Sequence, residues 1–168
     1  MYITKPFLVL SMVASAGFLT GSVEAESCVE RSGSPTLLFQ NGSEVVPIVP
    51  AFEDYSYMLF DACDAWDLTV EGGGCAIYPM MGDINWNAVA AICDGSKVIV
   101  YDRRLSGRVG YSGAQAIIAH ELGHLVCGHL DENDASIERN HAIELEADAF
   151  AAATLRRLGF SLEDIFSY

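Results

Sequence analysis

Residues 117–129 read Ile-Ile-Ala-His-Glu-Leu-Gly-His-Leu-Val-Cys-Gly-His, and the interpretation of the whole chain starts from this stretch. Its apolar residues recur at helical spacing, which predicts a helix from Gly113 to about Gly128. At about 100° per residue, His120 and His124 lie about 40° apart on one face of that helix, one turn from each other. Two imidazoles so placed can each direct a nitrogen at a single cation, as a zinc site requires.

Glu121 stands between the two histidines in sequence but about 100° round the helix from His120. That position is unsuited to direct ligation, yet its carboxylate can reach a water held by a metal, take its proton and pass it to a leaving amine. The competing interpretation is a surface helix with two incidental histidines. Much of the helix is apolar, however, at Ile117, Ile118, Leu122 and Leu125. This places the histidines near a core and favours metal binding.

A catalytic zinc site takes three protein ligands and leaves one position to water or substrate, so a third donor is needed. Glu144, on a second predicted helix from about Glu138 to Leu158, is the favoured candidate. Asp148 follows Glu144 at i+4 on the same face, where it can accept a hydrogen bond from a ligand imidazole or remain a solvated carboxylate. The alternatives for the third ligand are His129, His141 and Cys127.

The rest of the pattern predicts an α+β fold. Residues 26–50 read as a loop because of their Gly and Pro breakers, and residues 51–66 predict a helix. Three short β-like runs follow at 75–78, 87–93 and 97–101. Asp94-Gly95 joins the last two as a tight hairpin. Ser161 and Asp164 indicate a short final helix. We therefore expect a small antiparallel sheet packed on the histidine-bearing helix, with the second ligand-bearing helix beside it.

The N-terminus has the features of a secretory signal peptide. Lys5 supplies the positive charge, residues 7–19 an apolar stretch, and Val23-Glu24-Ala25 a small-residue cleavage site. The apolar run is too short to span a bilayer comfortably, so no stable membrane span is expected in the mature chain. The predicted organisation is a signal peptide at 1–25 and a single domain at 26–168, exported to the periplasm or secreted.

Acidic side chains outnumber basic ones by 23 to 9, which gives the chain a formal net charge of -14. This balance argues against nucleic acid as a partner, because a nucleic-acid binder needs Lys and Arg to displace counterions from phosphates.

The chain also has five cysteines. An exported chain permits disulfides, and the pairing favoured here is Cys75 with Cys93 and Cys28 with Cys63. Cys127 is left over and is expected to be a buried free thiol.

Two longer stretches carry a family resemblance. The run AIIAHELGHLVCGH at 116–129, followed by ELEADAFAAATLRRLGF at 144–160, resembles the gluzincin metallopeptidases of the HtpX and CAAX prenyl protease family, which pair HExxH on one helix with ExxxD on the next. WNAVAAICDGSKVIVYDRRL at 86–105 is similar to that family's asparagine-alanine segment, hairpin and edge strand. The resemblance implies a minimal, zincin-like domain of the soluble kind.

Carried over residue by residue, the resemblance implies His120, His124 and Glu144 as the ligands of one Zn²⁺. It implies Glu121 as general base and Asp148 as the partner of a ligand histidine. The predicted activity is a zinc-dependent endopeptidase, with an envelope quality-control or processing role. An extended polypeptide substrate would pair with residues 97–101 as an edge strand, the alternative being an inner strand. The alternatives in function are a zinc-binding chaperone-like or assembly factor without turnover, and a secreted protease effector.

Overall fold

The computed structural model describes residues 28–29, 37–131, 137–161 and 163. Their helices and strands confirm the predicted α+β class. The predicted signal peptide at 1–25 and the capping residue Asp164 lie outside the described residues. The strands are β1 (Cys28–Val29), β2 (Leu37–Asn41), β3 (Glu44–Pro50), β4 (Ile77–Gly82), β5 (Ala88–Cys93) and β6 (Ser96–Asp102). The helices are α1 (Glu53–Asp64), α2 (Leu105–Val126) and α3 (Ile137–Arg157), with a short 3-10 helix at His129–Asp131.

The six strands form one sheet in the order β1-β2-β3-β4-β6-β5. The expectation of an antiparallel sheet is wrong at one position, because β4 and β6 pair in parallel, with Ile77 opposite Lys97. The β5–β6 hairpin enters the sheet with β6 inside and β5 at the edge. The predicted edge strand at 97–101 is therefore an inner strand, buried from Val98 to Asp102. A strand that is buried on both faces has a continuous apolar run instead of an alternating one.

The β2–β3 hairpin corrects the prediction of a loop over residues 26–50. Pro47, one of the residues taken as breakers, lies within β3 opposite Leu38. Asn41 and Glu44 form the hydrogen-bonded pair that closes the tight turn. Hydrogen-bonded and non-hydrogen-bonded pairs alternate along the two strands from this pair, so the nitrogen of Pro47 points away from β2. β3 pairs with β4 only at Val49 and Pro50. The missing N–H of Pro47 therefore removes no hydrogen bond from the sheet.

Two clusters of buried residues lie against the sheet. The first joins β4, β5 and β6 to α1 and α2, and in it the rings of Tyr55 and Tyr101 stack at a centroid distance of 3.6 Å. The second contains Val98 and Val100 of β6 together with Phe39 and Ile48 from the β2–β3 hairpin. Because successive side chains of β6 point to opposite faces, the two clusters cover the two faces of the sheet. The helix α2, which carries the predicted histidine ligands, packs through the first cluster, and Phe150 of α3 packs against it.

The disulfide pairing differs from the predicted one. Cys28 is bonded to Cys93, and Cys63 to Cys75. The first bond ties β1 to the end of β5, and the second ties the end of α1 to the segment before β4. Sequence spacing did not contain this information, because pairing depends on which Cα atoms the fold brings within about 7 Å. Cys127 is free, as expected, but it is exposed and not buried.

The long helices lie close to their predicted positions. α2 begins earlier than expected, at Leu105, but Gly110 interrupts it with φ 72° and ψ −179°, so the regular helix with the histidines starts near the predicted Gly113. α3 crosses α2 at Gly123, where an added Cβ would lie 3.2 Å from both Ala147 Cα and Phe150 Cβ. The absence of a side chain at Gly123 thus lets the two helices approach closely. None of the helices in the described part of the chain combines the length and the hydropathy that a membrane span requires.

Candidate metal centre

The two histidines of α2 and Glu144 of α3 face one another. The Nε2 atoms of His120 and His124 lie 3.0 Å apart. Glu144 Oε2 lies 3.3 Å from His120 Nε2, and Glu144 Oε1 lies 3.7 Å from His124 Nε2. The structure therefore brings together the three side chains predicted as ligands, two from one helix face and one from the neighbouring helix.

The donor set of this group fits a zinc ion. Two imidazole nitrogens and one carboxylate oxygen are a combination that catalytic zinc sites use. With zinc–ligand bonds of about 2.0 to 2.1 Å, the donors of a tetrahedral site stand about 3.4 Å apart. The distances of 3.0, 3.3 and 3.7 Å in this group bracket that value. The side chain of Glu144 is 50% exposed, so the group is open to solvent on the α3 side.

The second ring nitrogen of each histidine has its own partner. His120 Nδ1 lies 2.9 Å from Asp148 Oδ1, and because a carboxylate only accepts, Nδ1 is the donor. His124 Nδ1 lies 3.0 Å from His129 Nδ1. His129 Nε2 in turn lies 3.2 Å from Glu146 Oε2. These contacts hold both imidazoles with Nε2 turned toward Glu144, the orientation that a ligand histidine needs.

Glu121 is buried beside this group and is held by the edge strand. Its Oε2 accepts a hydrogen bond of 2.7 Å from the backbone N–H of Ala90 in β5. Burial raises the pKa of Glu121 to about 7, although the charge of His120 and the hydrogen bond from Ala90 act in the opposite direction. The structure thus places a carboxylate with a pKa near neutrality next to the two histidines.

The carboxylates of the group favour a positive charge on His120. Burial disfavours protonation of His120, but the hydrogen bond to Glu144 and the nearby carboxylates outweigh it and raise the pKa of His120 to about 9. The hydrogen bond from His120 lowers the pKa of Glu144. Burial and the charge of His120 lower the pKa of His124 to about 4. One positive charge is therefore stabilised here, and a second on His124 is not.

The structure separates the alternative third ligands from the favoured one. His129 contacts His124 through Nδ1 instead of joining Glu144, and Cys127 lies with His129 and Glu146 in a separate group. His141 is exposed, and it belongs to neither candidate metal-binding group in the part of the chain that the structure describes. Glu146 was not singled out from the sequence. Glu146 is two residues from Glu144 and therefore lies on another side of α3. Helical spacing alone did not indicate its contact with His129.

Comparison with known proteins adds one match. The family model Peptidase_M78, described as the IrrE N-terminal-like domain, matches residues 87–155. The matched region contains β5, β6, α2 and most of α3, and so includes every member of the site described above. Comparison with curated proteins and with solved structures gives no significant match.

The match supports a zinc-metallopeptidase-like class for this region. It does not support the HtpX and CAAX prenyl protease family in particular, which the paired motifs had suggested. The resemblance therefore indicated the class of protein, while the paired helical motifs did not specify the family.

Proposed function

We propose that this protein is an exported zinc-dependent endopeptidase that cleaves extended polypeptides. The convergence of His120, His124 and Glu144 within 4.8 Å, with Glu121 buried beside them, is the observation that supports it best. The similarity of residues 87–155 to a peptidase family points the same way. Export is supported by the four cysteines paired in disulfides, since such bonds persist in oxidising compartments.

In this proposal His120, His124 and Glu144 would hold one zinc ion. When bound, zinc supplies Lewis-acid polarisation of the scissile carbonyl and lowers the pKa of a water molecule. Asp148 and His129 keep the Nδ1 atoms of the two histidines engaged, so that both Nε2 atoms stay available as ligands.

Glu121 is the proposed general base. Its Oε2 is fixed by the N–H of Ala90, which leaves Oε1 to take a proton from water and deliver it to the departing amine. A carboxylate held at one oxygen keeps a defined direction for the other, and general acid–base catalysis depends on such positioning within hydrogen-bond reach. The hydrogen bond from β5 therefore positions the base as well as tying α2 to the sheet.

The substrate is proposed to add to β5, the edge strand. In the β5–β6 ladder the backbone N–H and C=O groups of Ala88, Ala90 and Ile92 point away from β6. Glu121 takes the N–H of Ala90, while the carbonyl of Ala90 and both groups of Ala88 and Ile92 lie on the same side of β5, away from β6. An extended peptide bound there by main-chain hydrogen bonds would run past Glu121. A role in envelope protein quality control or processing would follow from such a preference for unfolded chains.

The decisive experiment combines metal analysis with a cleavage assay on an unfolded protein substrate. We expect the wild-type protein to bind one zinc ion per chain and to cleave the substrate. We expect Glu121→Gln to bind zinc equally well and to cleave the substrate at least about 100-fold more slowly. Glu138→Gln, a change at an exposed residue of the same charge on α3, should behave as wild type. Equal cleavage by Glu121→Gln rejects Glu121 as base. If the wild-type protein binds zinc but does not cleave the substrate, the peptidase hypothesis is rejected in favour of a zinc-binding protein without turnover.

A further inference from the structure

A second group of potential metal ligands lies beside the first. Cys127, at the end of α2, His129 and Glu146 have donor atoms within 4.8 Å of one another. The imidazole of His129 is 1% exposed, whereas the side chain of Glu146 is 55% exposed and Cys127 is at the surface. None of the three is a ligand in the proposed zinc site. The group is therefore a buried imidazole flanked by two donors that solvent can reach.

The three donors suit a thiophilic divalent cation. A thiolate, an imidazole and a carboxylate are all zinc ligands, and a thiolate in the set disfavours magnesium and calcium. His129 Nε2 lies 3.2 Å from Glu146 Oε2, close to the spacing of about 3.4 Å expected between donors of a tetrahedral zinc site. Cys127 is the one cysteine of five outside the two disulfides, so its sulfur is chemically available.

The two groups are joined by a single hydrogen bond. His124 Nδ1 and His129 Nδ1 lie 3.0 Å apart, and a bond between two ring nitrogens needs one proton between them. In a pair of neutral histidines, the one that donates this proton has its own Nε2 unprotonated and able to bind a metal. The neutral histidine that accepts must carry its proton on Nε2 and cannot bind a metal there.

We propose that Cys127, His129 and Glu146 form a second site for a thiophilic divalent cation such as Zn²⁺, and that this site and the first one exclude each other. The exclusion rests on the proposed role of His124 as a ligand, whereas the second site does not. Occupation of the second site would withdraw His124 from the first and so act as an inhibitory metal switch.

The protons balance without any additional reactant. In the first state, His124 donates through Nδ1, and His129 keeps its proton on Nε2, facing Glu146. When a cation binds His129 Nε2, that ring carries its proton on Nδ1 and donates to His124, whose proton is then on Nε2. The histidine pair keeps two protons throughout. Cys127 releases its thiol proton to solvent as sulfur binds the cation.

Cobalt titration of the metal-free protein, with its disulfides intact, tests the proposal. A thiolate-to-cobalt charge-transfer band reports binding to Cys127, and slower alkylation of the free thiol reports it independently. His120→Ala weakens the first site, and we expect the thiolate band to appear at about tenfold lower cobalt concentration than in wild type, within the usual range of coupling between sites. Cys127→Ser should abolish the band, and Glu138→Gln should leave it as in wild type.

Two results would overturn the proposal. The first is a natively folded His120→Ala protein that, at saturating cobalt, shows neither the thiolate band nor protection of Cys127 from alkylation. In that case the second site does not exist. If wild type holds two cobalt ions per chain, with the thiolate band at the same concentration as in His120→Ala, the sites do not exclude each other. Neither readout requires peptide cleavage. A protein that cleaves nothing and still gives the band would lose the proposed function and keep the second site.

Discussion

The carboxylate of Glu121 in α2 and the backbone N–H of Ala90 in β5 form a buried hydrogen bond of 2.7 Å. This bond joins the helix that carries the candidate ligands to β5, the last strand of the sheet. The N–H of Ala90 points away from β6, so it is not used in the sheet itself. The backbone of the edge strand thereby fixes one oxygen of the proposed base.

Replacing Ala90 with proline removes this donor and leaves the ladder to β6 unbroken. We expect Ala90→Pro to reduce kcat at least about tenfold and to lower the free energy of unfolding by about 2 kcal/mol, since a buried carboxylate loses a hydrogen bond. Zinc content should not change. Ala88→Pro is the comparison, because the Ala88 N–H also points away from β6 but does not contact Glu121. That N–H is one of the groups proposed to pair with substrate, so Ala88→Pro should raise KM and leave kcat nearly unchanged. An equal loss of kcat in both variants would contradict a positioning role for Ala90.

Gly123 sets the distance between α2 and α3. A Cβ there would stand 3.2 Å from Ala147 and Phe150, so Gly123→Ala should push α3 away from His120 and His124. We expect about tenfold weaker zinc binding in a chelator competition assay. The free energy of unfolding should fall by about 1 kcal/mol, because overpacking of about 2 kcal/mol exceeds the gain in helix propensity.

Gly107→Ala is the control for this substitution. A Cβ at Gly107 meets no atom within 4 Å, so the variant should bind zinc as wild type does and be as stable or slightly more stable. If both alanine variants bind zinc as wild type does, the close approach at Gly123 does not control the site.

Asp102 should make the free energy of unfolding depend on pH in acidic solution. Its buried carboxylate accepts hydrogen bonds from the Arg104 side chain and from the backbone N–H groups of Trp86 and Arg104. The hydrogen bonds from Arg104 hold the pKa of Asp102 well below its usual range, although burial opposes the shift. A carboxyl group with a lowered pKa in the folded state stabilises the fold above its unfolded pKa of about 4, and this stabilisation is lost as the pH falls below that value.

Urea unfolding of wild type and Asp102→Asn between pH 2 and pH 7 measures this contribution. At pH 7 the variant should be less stable by about 2 kcal/mol, as expected for lost hydrogen bonds to a charged group. The difference should shrink steadily below pH 4. A constant difference across that range would show that Asp102 contributes packing and not charge.

The two disulfides should contribute unequally to stability. Cys28–Cys93 spans a sequence separation of 65 residues and Cys63–Cys75 one of 12. In the chain-entropy account, the longer loop contributes about 4 kcal/mol and the shorter about 3 kcal/mol. Paired alanine substitutions of each bond, followed by urea unfolding, measure the two contributions. A non-reducing peptide map that recovers Cys75 linked to Cys93 would contradict the pairing itself.

Helical spacing located much of the candidate site from sequence. The i, i+4 separation placed His120 with His124, and Glu144 with Asp148, on common faces, because such neighbours meet within a single helix whatever surrounds it. The Asp94-Gly95 hairpin was predictable for the same reason: both residues have positive φ, 47° and 75°, which this dipeptide tolerates in a two-residue turn. By contrast, the candidate third ligand remained one choice among four, since the position of Glu144 depends on a second helix.

What the sequence by itself determined is thus local: the helices, the hairpin, the pair of imidazoles on one face and the class of chemistry that they suit. The tertiary structure alone decided the parallel pairing of β4 with β6, the edge position of β5 and the partners of the four bonded cysteines. It also decided that His129 contacts His124 and that Glu146 contacts His129. The physical reason is that a period of 3.6 residues specifies which neighbours share a face, whereas contacts between elements depend on the path of the whole chain and on the packing of its two cores.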